Sequence, residues 1–582
     1  MVDKHSQRRI LCLRGKPILR AFIMKITLLA LVAFVVGSFA AAQQFTPADR
    51  AAAEQAMKQV RPDGIRAHMR FLSDDLLEGR GTGTRGYQIA AKYVASEMEA
   101  MGLKPAGVNG TWFQPVKFRG SKLVSDQSSL AVVRDGKEQA LKEGEDYETS
   151  GAVSFTDVSM DAPVVFVGYG VSAPERHYDD YAGADTRGKI VVVIYGAPAS
   201  FPSTERAYYS DGIVKAENAV AHGAVGMLAF LSPEDQQRYP WRWIAPQIRS
   251  GALRWLDDKG KPHDVFPQLK AAGLLSQSGT EALFAGAPKT LDQVFATAKA
   301  SEPQAFPLSV TVKQHMVSKH EEVESSNILG VLRGSDPKLR DQYVVYTAHV
   351  DHLGRCTPAD GDDICHGAFD NASGVAALLE AARAFTSLPH PPRRSVLFAF
   401  VTGEEKGLLG SDYFANNPTV PKQDIVANVN IDSAPGLLYP LKDIVPLGVE
   451  HSSLNADVQQ AAKMMGYQIS PDPMPEEVFF IRSDQYSFVR QDIPAVNVTD
   501  GLQSSDPQLN GEKIIKTWMT TLYHTPKDNM NQPFYYDSAA KCTRLNFLIG
   551  YDVAEQAQPP AWNRGDFFAQ KFGKQTSAGA GR

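Results

Sequence analysis

The chain has 582 residues, of which 43% are hydrophobic and 21% charged, with a formal net charge of −5. That length exceeds the size at which a single hydrophobic core keeps growing, so two or more structural units are expected. The mild acidity, without a basic stripe or arm, excludes a phosphate-backbone partner, and no nucleic-acid role is expected.

In chain order, Lys25 precedes the apolar run Ile26 to Val36, and Ala40-Ala41-Ala42 follows as a small-residue cleavage site. This pattern predicts an export signal over residues 1–42, with the mature chain starting near Gln43 in the periplasm or medium. The run is too short to cross a bilayer, which takes about 20 residues, so no stable membrane insertion is expected after cleavage. The basic stretch Lys4 to Arg20 is unusually long for such a signal, and Met24 is the more ordinary start. Removing residues 1–42, with seven Lys/Arg and one Asp, leaves a mature charge of about −11.

Residues 43–153 read as the N-terminal part of the main domain, with helical segments Phe71 to Leu77 and Ile89 to Leu103 around the Gly-rich loop Glu78 to Gly83. Between 154 and 301 the texture changes to apolar runs such as Val164 to Val167 and Ile190 to Ile194, which predicts a separate insert. Over 302–558 short apolar runs alternate with helical stretches: Tyr343 to Ala348, Gly374 to Phe385, Ser395 to Val401 and Ile425 to Ile431. Alternation of this kind predicts an α/β domain around a buried sheet. A flexible tail is expected over 559–582.

Of four cysteines, Cys12 lies in the signal, while Cys356 and Cys365 bracket an Asp/Gly-rich loop and are expected to pair in an oxidising compartment. Cys542, on an apolar helix, reads as a buried free thiol.

Most ionisable residues of interest stand directly after the apolar runs, where open α/β sheets bind ligands. These are His349-Val350-Asp351, Glu404-Glu405 and Asp432, joined by Asp370 in a small-residue turn before a helix and by His524 in Tyr523-His524-Thr525-Pro526. Each alone has an ordinary explanation as a capping carboxylate, a surface pair or a loop histidine. Together, two imidazoles and several carboxylates are the donor set that Zn²⁺ accepts, with a carboxylate left over to handle protons. His349 and Asp351 are two apart on an extended segment, so Asp351 is expected to orient His349.

At these residues the chain resembles the di-zinc aminopeptidases of clan MH, the group of aminopeptidase Y, bacterial leucyl aminopeptidases and glutamate carboxypeptidase II. The resemblance spans about 61–119 and 317–556. It implies a three-layer α/β/α zinc-exopeptidase domain with a central mixed sheet, and two Zn²⁺ ions bridged by Asp370. Glu405 and His524 would complete one ion's ligands, and His349 and Asp432 the other's. Glu404 would be the general base acting on a metal-bridging hydroxide, Asp351 a supporting residue, and Tyr523 a donor to the oxyanion. A cis peptide is implied at Asp370-Asn371.

The insert resembles a β-rich protease-associated domain through His177 to Gly183, Gly188 to Ile194 and Lys215 to Ala224. The implied activity is that of an aminopeptidase acting on peptides with a free N-terminus. A carboxypeptidase of the same family would need an arginine cluster for a terminal carboxylate, and Arg482 is a candidate. A glutaminyl-cyclase-like acyltransferase resembles a one-zinc site without the first His, and a receptor-like binding protein would have lost ligands; both disagree with the residues present.

Overall fold

The computed structural model describes residues 47–573, so the expected export signal lies outside the described residues. No helix among them is long and apolar enough to cross a membrane. The compact unit from Ala52 onward is a mixed α/β structure in which two sheets share one long strand.

In chain order the strands that position the site are β1 (Phe113–Leu123), β2 (Asp157–Val167), β3 (Ile190–Ile194), β4 (Gly226–Phe230), β5 (Ala271–Leu275) and β6 (Ala305–Leu332). They are followed by β7 (Tyr343–His349), β8 (Ser395–Val401), β9 (Ile425–Asn430) and β10 (Ala495–Asp500). In the first sheet the order is β1, β6, β8, β7, β9, β10. The first two contacts are antiparallel, and the run from β8 to β10 is parallel. In the second, β2, β3, β4 and β5 run parallel, and the N-terminal half of β6 lies antiparallel to β2.

β7, β8 and β9 are buried along their whole length, which is why they read as continuous apolar runs rather than alternating ones. Successive side chains point to opposite faces. Val345, Leu397, Ala399 and Val401 pack with Phe414 and Phe488 on one face. On the other, Tyr346 and Phe398 meet Phe385 of α1 (Gly374–Thr386) and, through Phe385, Phe547 of α2 (Tyr536–Glu555). Each such aromatic or aliphatic side chain contributes roughly 1.5–3 kcal/mol by leaving water. α1 is Ala- and Leu-rich and almost entirely buried; its Glu380 is satisfied by the Arg61 backbone N–H at 2.8 Å and Arg383 Nε at 3.0 Å.

Strands Ser129–Arg134 and Lys137–Leu141 also join the second sheet, so the chain enters it before residue 154, and Ala252–Trp255 returns to pair with β1 of the first. The expectation of a flexible tail fails for residues 559–573. Phe568 is fully buried against His451 and Phe480, Asp566 bonds His451 at 2.6 Å, and Trp562 Nε1 donates to Asp492. A tail carrying Trp562, Phe567, Phe568 and Phe572 gains more by burying aromatic surface than it loses in chain entropy. Cys356 and Cys365 form a disulfide across a short hairpin, and Cys542 is a buried free thiol.

Candidate metal centre

Parallel pairing brings the C-terminal ends of β7, β8 and β9 to one edge. His349 is the last residue of β7 and lies opposite Val401 of β8, while Thr347 lies opposite Asn430 of β9. Glu404 and Glu405 follow β8 after a turn through Gly403, whose φ of +70° and close approach to Leu409 suit glycine. Asp432 follows β9. Asp370 sits just before α1, and its peptide bond to Asn371 is cis.

The acid side chains converge on the two imidazoles. Asp370 Oδ1 is 3.3 Å from His349 Nε2, and its Oδ2 is 3.3 Å from His524 Nε2, so one carboxylate faces both rings. His349 Nε2 is also 3.3 Å from Asp432 Oδ1 and 3.9 Å from Glu404 Oε2. His524 Nε2 is 3.0 Å from Glu405 Oε2, yet it is buried without a hydrogen-bond partner. His349 Nε2 does hydrogen-bond Asp432, whereas a buried imidazole nitrogen close to carboxylates but without a hydrogen bond, as in His524, is aimed at a shared centre. Two overlapping groups, His349-Asp370-Glu405 and His349-Glu404-Asp432, have ligand atoms all within 4.8 Å of one another. This donor chemistry is of the kind a divalent cation such as Zn²⁺ accepts.

The electrostatics reflect crowding. Burial, with Asp432, Glu405 and Asp484 adding to it against the pull of His349, pushes Glu404 well above the usual carboxylate range. Burial opposes ionisation of Glu405 and Asp370 too, but the nearby imidazoles of His524 and His352 hold Glu405 low, and those of His349 and His524 beside it hold Asp370 low. His524 is raised to about 9: burial lowers it, and Glu405 and Asp370 more than compensate. The carboxylates outnumber the imidazoles, so the site is a trap for cations.

The supporting contacts differ in part from those expected. His349 Nδ1 lies 3.1 Å from the backbone carbonyl of Asp351, not from its carboxylate. That carboxylate instead accepts from Thr82 Oγ1 at 3.0 Å and from the Glu404 N–H at 3.2 Å, holding the turn that carries Glu404. The pleat explains the swap: side chains two apart share a face, but the chain leaves the sheet after His349. Tyr523 stacks on His524, and its hydroxyl accepts from Arg482 Nη2 at 3.2 Å.

Sequence reasoning missed several residues. His352 Nδ1 lies 2.5 Å from Glu405 Oε1; its place three residues after His349 was the available signal. Asn371 Oδ1 accepts from the backbone N–H groups of Gly374 and Ser433 at 3.0 and 2.7 Å, tying α1 to the Asp432 loop. Asp528 accepts from the N–H groups of Phe369 and Asp370 at 2.8 and 3.0 Å, and burial raises it to about 6. Arg80, fully buried, donates to the carbonyls of Val350, His366, Gly367 and Leu72 and so clamps the segments after His349 and before Asp370. A cavity of about 380 Å³ is lined by Trp255, Phe266, Leu408, Ile481, Tyr486 and Arg490 among others.

A sheet-edge cluster of two imidazoles around a shared carboxylate is the layout of a metallohydrolase centre. Residues 327–549, which carry every one of the proposed ligands, match Peptidase family M28. Over 262 residues it is 29% identical to aminopeptidase NAALADL1 of Mus musculus, covering 38% of this chain and 33% of that protein. Over 110 residues it is 34% identical to a probable zinc metalloprotease of Pyrenophora tritici-repentis (strain Pt-1C-BFP), covering 19% of this chain and 24% of that one. The chain thus spans about a third or less of the length of these curated relatives. The fold is shared with the aminopeptidase from Aneurinibacillus sp. strain AM-1, at a TM-score of 0.51 and 18% identity, over 87% of this chain and 97% of that one.

Proposed function

We propose that the protein is an exported zinc metallopeptidase that removes N-terminal residues from peptides. The observation that carries the reading is Asp370, whose two oxygens face His349 and His524 separately, 3.3 Å from each. Asp370, Glu405 and His524 would hold one ion, and Asp370, His349 and Asp432 the other. Zinc, when bound, supplies Lewis-acid stabilisation of developing negative charge and acidifies a water molecule. Glu404, with its raised proton affinity, takes the proton from the attacking water and returns it to the leaving amine. Tyr523 donates to the carbonyl oxygen as it becomes anionic, and His352 steadies Glu405.

The match of residues 327–549 to Peptidase family M28 supports the peptidase class. Arg482 is committed to Glu477, Tyr239 and Tyr523, which favours a free-amine substrate over recognition of a terminal carboxylate. The Cys356–Cys365 disulfide supports an oxidising compartment, and the second sheet region is read as a protease-associated insert. N-terminal sequencing of the protein recovered from periplasm and medium tests export.

The decisive experiment is elemental analysis of the purified full chain combined with hydrolysis of aminoacyl dyes bearing free or blocked N-termini. About two zinc ions per chain, turnover of free-amine substrates only, and loss of turnover on chelation are expected. Turnover of C-terminally anchored substrates alone would replace aminopeptidase by carboxypeptidase, and a zinc-free protein without turnover would overturn the enzymatic reading.

A further inference from the structure

Tyr523 is linked to the second sheet region by a continuous polar chain. Its hydroxyl accepts from Arg482 Nη2 at 3.2 Å. Arg482 Nη1 donates to the Glu477 carbonyl at 3.2 Å and to Tyr239 Oη at 3.4 Å, and lies 3.7 Å from Glu477 Oε2. Its guanidinium carbon stands 5.6 Å from the centre of the Phe479 ring. The nearly buried Glu477 carboxylate also accepts from the Tyr239 hydroxyl, and Arg238 Nε lies 3.1 Å from its Oε1. Arg238 and Tyr239 belong to the second sheet region, 238 or more residues before Glu477.

Arginine has no acceptor, so in the Arg482–Tyr523 bond the phenol oxygen can only accept. The phenol's own proton is left for another partner. A guanidinium beside the oxygen also steadies the negative charge that builds on the phenol as it donates. The guanidinium is pinned by a carboxylate, a carbonyl and a ring face, and its reach is fixed by residues from both regions.

We propose that Arg482 is a positioning residue for Tyr523, aiming its hydroxyl proton at the developing oxyanion, and that Arg238 and Tyr239 hold Arg482 in place through Glu477. The inference rests on the peptidase reading of the site. The second sheet region thereby acts on the chemical step and not only on access to the site.

The test is steady-state kinetics on the purified full chain with a free-amine aminoacyl dye, comparing wild type with Arg482→Gln, Arg482→Lys, Tyr239→Phe, Tyr523→Phe and the Arg482→Gln/Tyr523→Phe double variant. Zinc content and thermal melting are recorded for each. Arg482→Gln is expected to lower kcat about 10- to 100-fold with KM within about twofold, as for a displaced catalytic group. Arg482→Lys should recover part of that loss, and Tyr239→Phe should lower kcat by about threefold or more. The double variant should be no slower than Tyr523→Phe, because Arg482 acts through the phenol.

Additive losses, a rise in KM at unchanged kcat, or a Tyr239→Phe variant equal to wild type would overturn the proposal while the peptidase reading stands. Absence of turnover in zinc-loaded wild type would overturn both. If Arg482→Gln does not fold, Arg482→Lys and Tyr239→Phe carry the same decision.

Discussion

The two sheet regions present the same kind of edge and use it in opposite ways. Beyond β2 and β3 of the second sheet, Lys215 Nζ donates to the carbonyls of Tyr169 and Gly196 at 2.5 and 2.6 Å. Nearby Asp180 accepts from the N–H groups of Tyr169, Val171 and Gln304 and from the Tyr178 hydroxyl. The ionisable groups there are sealed by local backbone. Beyond β7, β8 and β9 the outer groups are held by backbone and side chains, but the inner face is left open: His524 Nε2 is buried among carboxylates without a hydrogen bond. Parallel strands supply an edge where polar side chains can gather. Whether it becomes a site depends on whether those side chains satisfy one another or remain aimed at something else.

The largest test of that contrast is Glu404→Gln, which keeps the shape of the side chain and removes its ability to take a proton. A fall in kcat of about 10²- to 10⁴-fold, with zinc content unchanged by elemental analysis, is expected. An unchanged kcat would mean that the catalytic edge is sealed in the same sense as the other one. Asp528→Asn probes the shell that orients Asp370, since an amide cannot accept from both N–H groups as the carboxylate does. A loss of about 10- to 100-fold in zinc affinity or activity is expected, read by competition with a zinc chelator and by kinetics.

The smallest effect concerns the sealed edge. Burial pushes the Lys215 amine down to about 7 from its ordinary 10.5, although Asp180 and Asp211 pull it back up. The unfolded chain therefore binds more protons than the folded one between about pH 7 and 10.5, and stability contributed by this group rises with pH across that window. Below pH 7 the cost of burying the charged amine is fully present. Lys215→Met should flatten the rise in melting temperature between pH 7 and 9 without altering zinc content; an unchanged slope would show that Lys215 is not the group responsible.

The α/β class and the residues that converge were legible because the relevant signals are local. A buried parallel strand is a short apolar run, and a ligand at a sheet edge is the polar residue that ends it, as at His349, Glu404-Glu405 and Asp432. The second sheet's early strand Lys137–Leu141 was less legible because it is mostly exposed and carries no apolar run. The packing of residues 559–573 was not legible because Phe567 and Phe568 have no periodicity of their own and acquire meaning only against His451 and Phe480.

What the sequence by itself determined was the donor chemistry: two imidazoles and enough carboxylates, most of them directly after an apolar run. What only the tertiary structure decided was how those donors are held. Asp351 supports Glu404 instead of His349, Arg80 clamps carbonyls up to 287 residues away, and Asp528 fixes the backbone of Asp370 from 158 residues downstream. Hydrogen bonds between segments so far apart leave no spacing or period in the chain, because nothing about a lone Asp or Arg in a loop depends on its sequence neighbours. They exist only once the apolar runs have packed and brought the strand ends together.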